Sequence, residues 1–129
     1  MSRNLALAIA AFYCALALTL GAFAAHALKG HLSVEALNWI ETAVFYQFVH
    51  ALAILCLSQG KQQTVDKLLA VSIMLFAAGV FCFSGSLYLM AFGVSGLGIM
   101  TPIGGILMLA GWLTILYHSF SLAFKQKTN

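Results

Sequence analysis

Charged residues are scarce in this sequence. Its 129 residues include six lysines and arginines and three aspartates and glutamates, so 7% are charged, whereas a soluble domain has about 25%. Hydrophobic residues make up 63%. This composition excludes a cytosolic enzyme, a disordered tail and a protein with a nucleic-acid partner. The mean hydropathy of +1.01 indicates that the chain is surrounded by a lipid bilayer.

Cysteines are also few, and their positions exclude two kinds of site. Cys14, Cys56 and Cys82 lie inside apolar runs, and an odd number at wide spacing fits neither a disulfide framework nor a zinc site. They are typical of small buried hydrophobic residues. We therefore predict no metal site and no cofactor.

Long apolar segments make up most of the sequence. A helix that crosses a bilayer needs roughly 20 mainly apolar residues, and four segments meet this requirement, at about 5–28, 40–58, 68–92 and 103–124. The polar connections are short, so consecutive helices should lie antiparallel. We predict an all-α fold, an integral membrane antiparallel four-helix bundle, with residues 1–129 as a single transmembrane domain.

Helix ends can be predicted at several positions. Ser33 followed by Glu35 is typical of an N-cap with a carboxylate in the first turn, so the second helix should begin near Val34 and enter the membrane further along. Pro102 lies where the fourth helix should start. The apolar run 5–25 exceeds the core of a signal peptide, which is about 7 to 15 residues, so we predict a retained first helix.

The cations predict the orientation. With four spans, the N-terminus, the second loop and the C-terminus share one side of the membrane. The opposite side carries Lys29. Because lysine and arginine near spans stay in the cytoplasm, we predict a multi-pass protein of the cell inner membrane with cytoplasmic N- and C-termini. The cations on that shared side are Arg3, Lys61, Lys67, Lys125 and Lys127.

Polar side chains inside the spans are the candidate functional residues. An unpaired polar group in lipid costs several kcal/mol, so these side chains should face the bundle interior or a wet cavity. A rise of about 1.5 Å per residue places one residue of each helix near the midplane, namely Thr19, His50, Ser84 and Thr114. The candidate polar cluster comprises Thr19, His26, Thr42, Tyr46, Gln47, His50, Ser84 and Tyr88.

His50 is the most informative of these residues. Desolvation disfavours the charged imidazolium, so a histidine near the midplane should be neutral and hydrogen-bonded to a neighbour such as Tyr46, Ser84 or Thr19. We interpret His50 as a structural histidine, with a proton-relay or ligand-contact role as the alternative. In the first helix, spacing predicts a shared face for Phe12, Ala15, Thr19 and His26.

Four sequence blocks resemble a known family. They are LGAFAAH at 20–26, TAVFYQFVHAL at 42–52, FSGSLY at 83–88 and TPIGG at 101–105, accompanied by the AGW motif that ends at Trp112. In this order they resemble the YgdD-like family of small inner-membrane proteins, related to eukaryotic transmembrane protein 256. Ala24 stands where that family usually has glycine. The resemblance implies a four-helix integral membrane protein and brings no catalytic residue or substrate with it.

Several functions are compatible with these residues to different degrees. The sequence does not indicate a reaction. We predict an integral inner-membrane protein whose polar layer either locks the bundle or contacts another molecule, which would be a lipid, a small molecule, a membrane-protein partner or a second copy of the chain. The alternative is a small transporter or channel subunit that acts as an oligomer, with His50 in the pathway. An enzyme would need Ser84 and His50 as nucleophile and base. A haem protein would need paired axial histidines at one depth, which the sequence does not provide.

Overall fold

Four helices follow one another in the computed structural model, which describes residues 1–60 and 63–127. In chain order they are α1 (Arg3–Ala25), α2 (Val34–Leu57), α3 (Lys67–Ala91) and α4 (Met100–Lys127). Each is long and apolar enough to cross a membrane. The predicted all-α class with four spans is confirmed.

Polar caps fix where three of the helices begin. The Oγ atom of Ser33 accepts the backbone N–H of Ala36 at 3.1 Å, which confirms the predicted cap and the start of α2 at Val34. Ser2 caps α1 and Asp66 caps α3 in the same way. A side-chain acceptor at this position satisfies an N–H that has no partner inside the helix. The helices therefore extend beyond their apolar segments into polar sequence.

Among the helix ends that differ from the predicted ones, two have a local explanation. α1 ends at Ala25, three residues early, where the N–H of His26 bonds to the carbonyl of Ala22 at 3.2 Å and the chain then turns. α4 begins at Met100, so Pro102 is its third residue. The first-turn N–H groups of a helix have no intrahelical acceptor, so proline is tolerated at any position of that turn. Pro102 therefore indicated the first turn of α4 but not its first residue.

Helices that are consecutive in the chain form the extensive interfaces, which join α1 to α2, α2 to α3 and α3 to α4. α2 and α3 have the larger buried share, whereas α1 and α4 expose more of their surface. One buried apolar cluster surrounds Ile40 and Leu87, and a second surrounds Ile54 and Phe76. The polar residues described below lie between these two clusters along α2.

The start of α1, the end of α4 and the described part of the α2–α3 connection lie at one end of the bundle, which we call the terminal end. The backbone N–H of Arg3 donates to the carbonyl of Gln63 at 3.0 Å, and its Nη1 donates to the carbonyl of Gly60 at 3.0 Å. His118 Nδ1 of α4 lies 3.8 Å from an oxygen of Asp66. The α1–α2 and α3–α4 connections form the opposite end, the loop end. The antiparallel arrangement is therefore as predicted.

A pair of glycines sets the distance between α3 and α4. A Cβ atom on Gly104 would collide with the backbone nitrogen of Phe83 and lie 2.7 Å from the carbonyl oxygen of Gly79. A Cβ atom on Gly79 would lie 2.6 Å from Cγ of Met108. Glycine permits this close approach of two membrane helices. The neighbouring Gly105 has no atom within 4 Å of its Cβ position, so it lies outside the interface.

Candidate functional site

Two polar residues of α2 point into the bundle. Gln47 is 2% exposed and His50 is 5% exposed. They are three positions apart and therefore share one side of the helix. A buried amide or imidazole in a membrane protein requires hydrogen-bond partners. Gln47 bonds to residues of α1 and α3, and His50 bonds to a residue of α4.

The amide of Gln47 connects α2 to both α1 and α3. Its Nε2 donates to the carbonyl oxygen of Tyr13 at 2.8 Å, and its Oε1 accepts the hydroxyl of Tyr88 at 3.0 Å. The Tyr13 hydroxyl in turn donates to the carbonyl oxygen of Ala77 on α3 at 2.8 Å. Three helices are thus joined by one amide and two phenols.

His50 connects α2 to α4. Nε1 of Trp112 donates to Nε2 of His50 at 3.1 Å, and Nδ1 of His50 is 2.8 Å from the carbonyl oxygen of Tyr46. A carbonyl only accepts and an indole N–H only donates, so the proton is on Nδ1 and Nε2 carries the lone pair. The ring of Phe76 packs at 5.1 Å from His50 and 5.0 Å from Trp112. Both ring nitrogens of a neutral imidazole are therefore used within the protein.

Ser84 forms a third connection, between α3 and α2. Its side chain is fully buried, and its hydroxyl donates to the carbonyl oxygen of Ala43 at 2.8 Å. His50 is itself bonded to Trp112 and Tyr46. Ser84 and His50 consequently lack the mutual hydrogen bond that a nucleophile and its base require.

Other members of the predicted cluster lie elsewhere. The predicted interior position of Thr19 is wrong, because Thr19 is exposed and its hydroxyl donates to the carbonyl of Ala15 in its own helix at 2.8 Å. Thr114 bonds within α4 in the same way. A threonine hydroxyl can use the carbonyl one turn back and needs no neighbouring helix. The predicted layer with one residue from each helix therefore does not form.

Three further candidates are also exposed. His26 and Thr42 lie on the surface toward the loop end. Tyr46 is 40% exposed and joins the network through its backbone carbonyl, while its ring packs 4.8 Å from that of Phe83. The structure thus buries Gln47, His50, Ser84 and Tyr88 in three separate sets of hydrogen bonds between helices, which we call together the buried polar network. Thr19, His26 and Thr42 lie outside it.

The face of α1 that packs on the bundle also differs from the predicted one. Its buried residues are all alanines, at positions 6, 10, 17 and 24. Phe12, Ala15, Thr19 and His26 instead share the exposed side. Most of α1 is apolar on every side, so its few polar residues did not identify the packed face. Membrane helices pack through their small residues, which is what the alanines do here.

Two residues of the network were not predicted from the sequence. Tyr13 and Trp112 supply the contacts of Gln47 and His50. A signal was available, since the O–H of tyrosine and the N–H of tryptophan need a partner when they are surrounded by apolar groups. A separate hydroxyl pair links Ser86 to Thr101 at 2.8 Å and holds α3 to the start of α4.

Surface cavities lie at the ends of the bundle. Two are at the terminal end, one lined by Arg3 and one by Lys67, and two are at the loop end, beside Trp39 and His26. None of the four is lined by Gln47, His50, Ser84 or Tyr88. The buried polar network is therefore separate from these cavities.

Comparison with known proteins identifies the family. The family model described as "Protein of unknown function (DUF423)" matches residues 20–105. A UPF0382 membrane protein of Haemophilus influenzae is 40% identical over 114 residues, which are 88% of this chain and 89% of the relative. The chain belongs to the DUF423 family. The UPF0382 inner membrane protein YgdD of Escherichia coli K12 is 36% identical over 126 residues, 97% of this chain and 96% of that protein.

The resemblance of the sequence blocks to the YgdD-like family is thereby confirmed. No solved structure matches the chain. In this DUF423 protein the region that the family model matches contains Gln47, His50, Ser84 and Tyr88. Tyr13 and Trp112 lie outside that region.

Proposed function

We propose that this DUF423 protein is a non-catalytic inner-membrane protein whose buried polar network locks the four helices into one arrangement. The observation that carries the proposal is that the polar groups of Gln47, His50 and Ser84 are hydrogen-bonded to neighbouring helices. Buried networks of this kind rigidify a core when their members are satisfied. The proposed role of the network is therefore structural.

The same bonding disfavours a transport pathway through His50. A solute that crosses a membrane needs polar groups that can exchange partners with it. His50 uses Nδ1 and Nε2 within the protein, so it could bind a solute only by giving up a helix contact. The oligomeric transporter or channel is for this reason the less favoured hypothesis.

The external surface is the part that interacts with other molecules in this proposal. Large apolar side chains are exposed along every helix and contact the lipid bilayer, for example Phe12, Phe45, Phe81 and Phe120. A locked bundle presents such a surface in one fixed shape. We propose that lipid, and any membrane-protein partner or second copy, binds on the outside of the helices and not at their centre.

The proposed orientation places the terminal end in the cytoplasm. Among the side chains that the structure describes, Arg3, Lys67 and Lys125 lie at that end and Lys29 lies at the loop end. Retention of cations on the cytoplasmic side supports this orientation. Lys61 and the side chain of Lys127, which belong to the same prediction, lie outside the described residues.

Cysteine labelling in intact membranes tests whether the core is closed. Cys14, Cys56 and Cys82 are replaced by alanine, and Ser84→Cys or Ser95→Cys is added to this background. A membrane-impermeant maleimide should label the exposed position 95 and leave the buried position 84 unlabelled until the protein is denatured.

Labelling of position 84 in the native membrane contradicts the proposal. It would show that water reaches the polar network, and it would favour the transporter or channel. Circular dichroism of both variants in detergent serves as the folding control, since a misfolded Ser84→Cys protein also reacts.

A further inference from the structure

Cationic groups gather at the terminal end. Arg3 lies beside the α2–α3 connection, Lys67 opens α3, and Lys125 lies near the end of α4. Asp66 and His118 lie among them. Asp66 is the one acidic residue of the whole sequence near this end, so positive charge is in excess there.

Two cavities lie side by side at this end. They share the wall formed by Thr64, Val65 and Asp66. The first has a volume of about 190 Å³ and is lined by Arg3, with Leu57 and Leu69 as its apolar part. The second has a volume of about 510 Å³ and is lined by Lys67, Leu68, His118, Ser121, Leu122 and Lys125. In each cavity cations adjoin leucines, which is the chemistry of a phospholipid at the membrane surface.

Arg3 contributes a guanidinium to the wall of the first cavity. Its Nη1 is bonded to the carbonyl of Gly60 at 3.0 Å. Its Nε is buried and has no hydrogen-bond partner within residues 1–60 and 63–127. A guanidinium binds phosphate oxygens through N–H groups of this kind. The guanidinium therefore gives the first cavity a positive charge of the kind that attracts an anionic oxygen.

Asp66 is the acidic residue among these cations, and one of its oxygens is used within the protein. One oxygen accepts the N–H of Leu68 at 2.9 Å and lies 3.8 Å from Nδ1 of His118. Asp66 keeps its negative charge in the wall that the two cavities share, where Arg3, Lys67 and Lys125 outnumber it three to one. The ammonium of Lys67 is exposed at the mouth of the second cavity.

We propose that the terminal end binds an anionic phospholipid, whose headgroup is attracted by Arg3 in the first cavity and Lys67 in the second and whose acyl chains lie along the leucines of the two cavities. Basic pockets between membrane helices are a known way to bind anionic headgroups. This inference goes beyond the locked core, and it does not require that the core be closed, because the two cavities are separate from the polar network.

Native mass spectrometry of the full-length protein tests the proposal. The purified protein in neutral detergent is titrated with phosphatidylglycerol or with phosphatidylcholine. We expect retention of phosphatidylglycerol over phosphatidylcholine, and we expect Lys67→Gln to weaken it about fivefold, since a cation near the surface contributes about 1 kcal/mol. Lys29→Gln, which removes an exposed cation at the loop end, is the matched control and should leave retention unchanged.

Arg3→Lys separates charge from geometry. It keeps the positive charge and removes the guanidinium, so lipid binding should weaken. The thermal stability of the lipid-free variant shows whether the contact with Gly60 is needed for folding. Lys67 is exposed and makes no such contact, so its variant decides the matter if Arg3→Lys fails to fold.

Three results overturn the proposal. One is equal retention of the two lipids. Another is an equal loss in Lys29→Gln and Lys67→Gln, which would indicate diffuse attraction. The third is a rise in melting temperature with inorganic phosphate as large as that with phosphatidylglycerol, which would indicate a site for free phosphate. Labelling of Ser84→Cys bears on the closed core alone, so the two proposals fail separately.

Discussion

The indole N–H of Trp112 donates to Nε2 of His50 across 3.1 Å, and it does so from a side chain that is 45% exposed. The contact lets an otherwise lipid-facing tryptophan satisfy its one polar atom. It also fixes which nitrogen of the imidazole carries the proton. A residue of the exposed helix α4 thereby determines the chemical state of a histidine buried on α2.

Replacement of that donor should destabilise the bundle. Trp112→Phe removes the N–H and keeps an aromatic ring against Phe76, so we expect the free energy of unfolding in detergent to fall by about 1 kcal/mol. Trp39→Phe, at the loop end, is the control for the loss of an indole. Equal stability of Trp112→Phe and the unmodified protein would show that the bond contributes nothing.

The Gln47–Tyr88 pair should show energetic coupling. Gln47→Leu leaves the Tyr88 hydroxyl buried without its acceptor, and we expect a loss of about 2 kcal/mol in the free energy of unfolding. Tyr88→Phe removes that orphan group, so the double variant should be less destabilised than the sum of the two single variants. Additive losses would contradict a direct hydrogen bond.

Ser84 and Thr19 provide a matched comparison of two hydroxyls. Ser84→Ala removes a bond between helices and should cost about 1 kcal/mol. Thr19→Ala removes a bond within one helix on the exposed side and should change stability by less than about 0.5 kcal/mol. Thermal unfolding of both variants in the same detergent measures the difference. The reverse order would place Thr19 in a contact that the structure does not contain.

Two adjacent glycines should differ sharply in their tolerance of alanine. Gly104→Ala forces α3 and α4 apart, because the new methyl group collides with the backbone at Phe83. We expect a loss of about 3 kcal/mol, the upper part of the range for overpacked sites. Gly105→Ala meets no atom within 4 Å and should be neutral or stabilising, since alanine is the better helix former. Size-exclusion profiles and melting temperatures distinguish the two.

The orientation can be tested with reporter fusions. Alkaline phosphatase joined at Gly96, in the loop end, should be active, and the same enzyme joined at Gln126 should be inactive. A fluorescent protein joined at Gln126 should give the complementary signal, because it folds in the cytoplasm. Matching phosphatase activity at both positions would contradict the proposed orientation.

The fold was predictable because it depends on features of whole sequence segments and not on the contacts of single side chains. Long apolar segments specify where the four helices lie, and all four were found. The Ser33 cap specifies where α2 begins, and it was found as well. The site was predictable only in part. The interior position of His50 and Ser84 followed from the cost of burying a polar group in lipid. That reasoning was wrong for Thr19, because a threonine hydroxyl can bond to a carbonyl of its own helix. The depth of a residue along a helix also does not determine which side of the helix faces the bundle.

The attachment of Arg3 to the α2–α3 connection has a consequence for biosynthesis. The guanidinium and its acceptor on Gly60 are 57 positions apart in the chain. When the first helix leaves the ribosome, the carbonyl groups that will hold its beginning have not yet been synthesised. The contact between the start of α1 and this connection can therefore form only after the whole of α2 has been synthesised.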